Sequence, residues 1–294
     1  MLIPAPCTIT LPDGRTLAFD DVGAPAGVVV VYFHGAPDCR LARHPDDGLA
    51  EALGVRLIAV DRPGYGRSDP TLDPMFAPAA DDIGHLLDAL GVATCRLLAW
   101  SAGGPRALAA ATALGDRCTG VTAYAPISPA EAAVDPAAIT GMRRRQAVLS
   151  AAVDDGVAPS AIAAEVGQFM LPVVPVPAEL ALELVRDSLG RRSLAEVGSV
   201  PGLLEMLAAS HVEASAVHGR AGVEGDMVAE LTFGQLDDVL GPTCLVRLVY
   251  GDRDQVAGPP VGEWYRARLR RSTLEVWSGA SHHALFPRWA ELLS

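Results

Sequence analysis

Residues 28–33 read Val-Val-Val-Val-Tyr-Phe, a continuous β-branched and aromatic run with no charged side chain to turn toward water. A strand of that kind is buried on both faces, as the interior strands of a parallel sheet are. Residues 55–60 (VRLIAV) repeat the signal, and further strands are read at 95–100, 121–125, 245–250 and 274–277. Helical segments fall between them, at about 47–53, 79–90, 105–114 and 261–269, with a last one running to Leu293. In the 79–90 segment Ile83, Leu86, Leu87 and Leu90 recur at i, i+3, i+4 and i+7, the spacing of one helix face. Strand and helix in alternation predict an α/β fold, a mostly parallel twisted sheet flanked by helices on both faces. A hairpin precedes it, with residues 7–11 and 16–19 flanking the turn Pro12-Asp13-Gly14-Arg15.

The rhythm stops near Pro129 and resumes near Leu245. Between them the pattern is helical, rich in Ala, Leu and Val, and broken by LPVVPVP at 171–177. This reads as an inserted helical cap spanning 129–240, with residues 1–128 and 241–294 forming one core. A length of 294 residues accommodates that arrangement.

Composition removes whole classes of chemistry. All 23 basic residues are Arg; there is no Lys and no Asn. Schiff-base catalysis, pyridoxal-phosphate attachment and a P-loop each need a lysine amine. The net charge of −12 repels phosphate backbones, so no nucleic-acid partner is expected. No apolar stretch reaches the ~18 residues of a membrane span, and the first residues lack the basic start and apolar run of a signal peptide, so a cytoplasmic protein without membrane partners is expected. Cys7, Cys39, Cys95, Cys118 and Cys244 are odd in number and scattered, and read as small buried hydrophobes rather than a disulfide framework.

Ala99-Trp100-Ser101-Ala102-Gly103-Gly104 lies where a strand meets a helix. A sharp turn there lifts a serine Oγ clear of the sheet, and the helix N-terminus behind it favours negative charge where an oxyanion forms. The usual pattern is G-x-S-x-G; here Ala99 stands at the first glycine. A serine nucleophile needs a base and an orienting carboxylate. His282 and His283 follow the last strand, and Asp252 and Asp254 follow the strand before it. All lie beyond strand C-termini, the end at which open α/β sheets build sites. The order Ser…Asp…His suits such a sheet.

With these motifs, and with His34-Gly35-Ala36-Pro37 and Asp61-Arg62-Pro63-Gly64-Tyr65-Gly66-Arg67-Ser68-Asp69, the chain resembles the α/β-hydrolase superfamily, in its serine-nucleophile form with a helical cap. The resemblance runs from about Thr8 to Leu293 and leaves the insertion unassigned. It implies Ser101 as nucleophile, His282 rather than His283 as base, and Asp254 as acid, with Asp252 capping the turn and Asp135 at the alternative position some relatives use. It implies an oxyanion hole from the Ala36 and Ala102 N–H groups, since Pro37 has none. Haloalkane dehalogenases and epoxide hydrolases of the superfamily carry Asp at the elbow, so Ser101 points instead to acyl chemistry on an ester, thioester or related bond of a small, fairly apolar molecule. Relatives also use the same three side chains as lyases or cyclases, and others bind ligands without catalysis. None of these readings calls for a cofactor or a metal, and they leave the oligomeric state open.

Other side chains admit two readings. Trp100, Phe169 and Met170 either line the substrate pocket or pack the core. Arg143-Arg144-Arg145 either meets an anionic substrate or forms a solvated helix face. His34 fits a structural hydrogen bond, and the 61–69 segment a structural loop. His211, His218 and Glu213 match no zinc spacing.

Overall fold

A computed structural model describes residues 5–128, 141–232 and 236–294. The strands are β1 Cys7–Thr10, β2 Thr16–Gly23, β3 Val28–Phe33, β4 Val55–Val60, β5 Cys95–Trp100, β6 Cys118–Tyr124, β7 Val246–Gly251 and β8 Ser272–Trp277. They form one sheet in the order β1-β2-β4-β3-β5-β6-β7-β8. Pairing from β4 to β8 is parallel, and β1 and β2 are antiparallel at one edge. The mostly parallel sheet expected from the apolar runs is therefore present, and the hairpin extends it.

Around the sheet lie α1 Gly48–Ala52, α2 Phe76–Ala89, α3 Gly103–Leu114, α11 Pro259–Arg266 and α12 Trp289–Leu293. The chain steps from β3 to β4 in one direction, then crosses back past β3 to β5 and onward. Right-handed crossovers put helices reached by opposite steps on opposite faces. The reversal also opens a crevice at the C-termini of β3 and β5.

Two details differ from the sequence reading. Val28 is 56% exposed although it pairs with Val55 of β4, since pairing with β5 begins only at Val30; only the last four residues are buried. Helix α3 begins at Gly103, two residues early, because the chain turns into it immediately after Ser101. A Cβ on Gly103 would lie 2.5 Å from the Phe33 carbonyl oxygen, and one on Gly104 2.3 Å from the Pro126 Cβ. The two glycines let the helix start press directly on the strand ends.

Between β6 and β7 the described chain is helical: α4 Gly141–Asp154, α5 Pro159–Met170, α6 Ala178–Ser188, α7 Arg191–Gly198, α8 Leu203–Ser215, α9 Ala221–Thr232 and α10 Leu236–Leu240. α10 packs on α3, α4 and α5 pack chiefly on α9, and α6 and α7 on α8. Among the described residues no helix is long and apolar enough to cross a membrane.

Cys39, Cys95 and Cys118 are buried, but Cys7 is exposed on the edge strand and Cys244 is half-buried. Scatter in sequence concealed a neighbour relation: the Cys118 and Cys244 sulfurs lie 3.7 Å apart as free thiols.

Two buried ionic clusters join α8 and α9 to the segments around the sheet. Asp226 on α9 accepts from Arg62 Nη1 at 2.5 and 2.7 Å, from Arg106 Nε at 3.0 Å and from Tyr65 Oη at 2.7 Å. Burial alone would raise the Asp226 carboxyl, but Arg62 and Arg106 hold it below the usual carboxylate range. Glu213 on α8 meets Arg40 Nη1 at 3.2 Å and Arg67 Nε at 2.8 Å, while Arg40 also holds Asp61 and Asp20. The expected structural loop at 61–69 thus supplies three of the residues that grip α8 and α9.

Candidate active site

β5 delivers Ser101 at its C-terminus. Ser101 has φ of 54°, a left-handed conformation uncommon for a residue with a Cβ and a mark of the strained turn expected there. Its N–H donates to the Tyr124 carbonyl, and its carbonyl accepts from Gly104 and Ile127, which hold the turn.

The Ser101 Oγ lies 2.9 Å from His282 Nε2, and His282 Nδ1 lies 2.7 Å from Asp254 Oδ2. Asp254 Oδ1 accepts from the Val256 and Ala257 N–H groups at 2.7 and 3.0 Å. Burial would raise the Asp254 carboxyl, yet His282 and these hydrogen bonds hold it below the usual carboxylate range. Asp254 is therefore an anion at neutral pH, and with both Oδ1 bonds fixed it presents only Oδ2 to the ring.

The alternatives are placed elsewhere. Asp252 Oδ1 accepts from the Gly279 N–H at 2.7 Å and tethers a turn. His283 packs edge-on against Trp100. Asp135 lies outside the described residues, as do the side chains of Arg143, Arg144 and Arg145. His211 faces Asp38 at 3.5 Å and His218 faces Asp69 at 3.5 Å, while Glu213 is taken by the arginines.

Ala36 and Ala102 line the same cavity as Ser101 and His282, and neither N–H meets an acceptor among the described residues. Two free N–H groups beside a serine oxygen can receive a developing oxyanion. The cavity is about 210 Å³ and apolar, walled by Ile127, Val166, Met170, Leu231 and Val256, with Phe169 and the half-buried Glu230 also at its edge. Trp100 is not in its lining. It is buried behind the site, where its indole N–H donates to the His282 carbonyl at 3.0 Å and its ring packs on Phe286.

Sequence patterns gave no sign of what fixes the His282 loop. Glu196 on α7 accepts from the Ser281 N–H at 2.9 Å and from its hydroxyl, and Tyr124 donates to the Ser281 carbonyl. Glu196 lies in the helical stretch between β6 and β7, where neither a motif nor a strand end marks a functional residue.

His34 is fully buried. Its Nδ1–H donates to the Gly35 carbonyl at 2.7 Å, and its Nε2 accepts from the Arg62 N–H at 3.1 Å. Burial, then the Arg62 charge, push its pKa down to about 3. The folded form binds this proton far more weakly than the unfolded chain, whose histidine titrates near 6.5. Stability is therefore full above pH ~6.5 and falls continuously as pH drops toward 3. Between pH 7 and 5 His34 accounts for a loss of about 1–2 kcal/mol. Thermal melts across that range should show a visibly smaller pH slope for His34→Gln, whose amide can donate and accept but does not titrate; equal slopes would remove His34 as the source.

The alpha/beta hydrolase fold family matches residues 28–288. A non-heme chloroperoxidase of Streptomyces lividans is 35% identical over 100 residues, 33% of this chain and 36% of that protein. The uncharacterized hydrolase YcgS of Bacillus subtilis is 30% identical over 121 residues, 41% of each chain. These matches cover well under half the length of either relative. Among solved structures, an alpha/beta hydrolase fold protein from Nakamurella multipartita superposes with a TM-score of 0.65 at 24% identity, covering 98% of this chain and 99% of the other.

Proposed function

The chain belongs to the alpha/beta hydrolase fold family, and from that premise we propose that it is a serine hydrolase cleaving an ester or thioester of a small, fairly apolar acid. The observation that carries this reading is the hydrogen-bonded chain Ser101–His282–Asp254 at the wall of an apolar cavity. Fold alone leaves the reaction open.

In the proposed cycle His282 Nε2 takes the Ser101 proton as Oγ bonds to the acyl carbon. The Ala36 and Ala102 N–H groups hold the resulting oxyanion, and Asp254 stabilises the imidazolium through Nδ1–H. His282 then gives the proton to the leaving oxygen or sulfur, whose bond to carbon breaks. Water, deprotonated by His282, attacks the acyl-enzyme and releases the acid and Ser101. No step draws on a cofactor. The helices within 129–240 serve in this reading as a cap: α5 and α9 supply Val166, Met170 and Leu231 to the acyl cavity.

A fluorophosphonate probe tests the nucleophile. Wild type should label, while Ser101→Ala and His282→Ala should not; a folded wild type that stays unlabelled defeats the reading. Since lyases and cyclases can carry the same side chains, the deciding second readout is release of both acid and alcohol from short p-nitrophenyl esters, with an acyl burst.

A further inference from the structure

A second cavity, of about 420 Å³, borders the site on another side. It shares His282 and Val256 with the apolar cavity but does not include Ser101. Its chemistry is opposite. Arg191, Arg192 and Arg253 line it, and no acidic side chain does. The Arg191 guanidinium makes no hydrogen bond or ion pair with any described residue. Arg192 donates to the Gly279 carbonyl at 2.7 Å, and Arg253 approaches the exposed Asp252 only to 3.7 Å, so three guanidinium charges remain largely unspent. The Nδ1 of His283, which also borders this cavity, is buried without a hydrogen-bond partner.

We propose that this cavity receives the leaving group of the substrate and that this leaving group carries a carboxylate. The inference rests on the serine-hydrolase reading above. In that chemistry the acyl carbon sits at Ser101 between the two N–H donors, so the acyl chain occupies the cavity containing those three groups. The leaving oxygen must sit against His282, which protonates it. Beyond His282 the free volume is the arginine-lined cavity. A planar guanidinium fork matches a carboxylate in shape and charge. On a chain of net charge −12 this local concentration of positive charge is a selective feature, favouring one anionic group against a field that repels anions generally. The substrate is thus bipartite, with an apolar acyl part and an acid-bearing alcohol part.

Two butyrate esters with the same acyl group test this: 4-carboxyphenyl butyrate and its neutral 4-carbamoylphenyl counterpart. The carboxylate ester should be favoured in kcat/KM by about tenfold, mostly through KM, and the preference should shrink as salt screens the arginines. In the Arg191→Gln/Arg253→Gln protein the preference should fall to near parity. In parallel, calorimetry on the catalytically silent Ser101→Ala protein should show 4-hydroxybenzoate binding more tightly than 4-hydroxybenzamide, and adding Arg191→Gln/Arg253→Gln should remove the difference. Equal turnover of the two esters with equal product binding overturns the inference and leaves the hydrolase reading intact. Turnover of neither ester removes the hydrolase reading instead, and the calorimetric comparison then decides the anion site by itself.

Discussion

Under the proposed cycle, Ser101→Ala should lower kcat/KM toward a short-chain p-nitrophenyl ester by about 10⁴-fold or more, and Asp254→Asn should lower it by about 10⁴-fold without unfolding the protein. The first loss follows from removing the attacking atom. The second follows from hydrogen-bond polarity. Asp254 Oδ1 accepts two backbone N–H groups, from Val256 and Ala257. An asparagine at 254 must keep its carbonyl oxygen there, so its NH₂ faces His282 Nδ1. That forces the ring proton onto Nε2, pointing at Ser101, and the imidazole can no longer accept the serine proton. The Ser101→Ala/Asp254→Asn double variant should be little worse than Ser101→Ala alone, because the side chains act as one unit. Steady-state kinetics with thermal melts beside them check this. Additive losses, or an Asp254→Asn enzyme within tenfold of wild type, would contradict the assigned roles.

The largest expected stability loss lies elsewhere. Asp226→Ala leaves Arg62 and Arg106 buried without their carboxylate and deprives the buried Tyr65 hydroxyl of its acceptor. Breaking a buried pair by deleting one partner costs about 3–5 kcal/mol, because the surviving charge remains desolvated. For a chain of this size that is a fall in Tm on the order of 10 °C. Catalysis should suffer as well. Arg62 also donates from Nε to the His34 carbonyl at 2.9 Å and from Nη2 to the Gly35 carbonyl at 3.2 Å, the residues just before Ala36. α9 therefore steadies the loop that carries the Ala36 N–H, the proposed oxyanion donor. Arg62→Lys separates charge from geometry, since an ammonium retains the charge but cannot span Asp226 and both carbonyls. It should keep part of the stability and lose turnover. Urea melts and kcat for the two variants check this; an Asp226→Ala protein that melts with wild type would show the cluster to be idle.

Local rules made the core legible. The β4 and β5 boundaries follow from their apolar runs alone, and Ser101, Asp254 and His282 each lie just past a strand end, where the argument from parallel sheets looks for them. What escaped the reading depends on contacts distant in sequence. Glu196 and Asp226 sit on helices with no strand beside them, and their partners lie 85 and 164 residues away. Trp100 could be read as pocket or packing because strand position does not say which neighbours a side chain meets. The helices within 129–240 were legible as helices but not in their mutual packing, since an Ala- and Leu-rich segment offers apolar contacts on several faces.

The hierarchy of attachment among those helices has a consequence for how such an enzyme diversifies. α8 and α9 are bolted to the core by buried ions, whereas α4 and α5, which bring Leu149, Val166 and Met170 to the apolar cavity, pack chiefly on α9. In the proposed cycle, acyl-chain preference would therefore be written on a layer once removed from the anchor. Residues of α4 and α5 can be shuffled or grafted from a relative to alter chain-length selectivity while the ionic bolts and the oxyanion loop stay untouched, which makes them the natural target of a focused library.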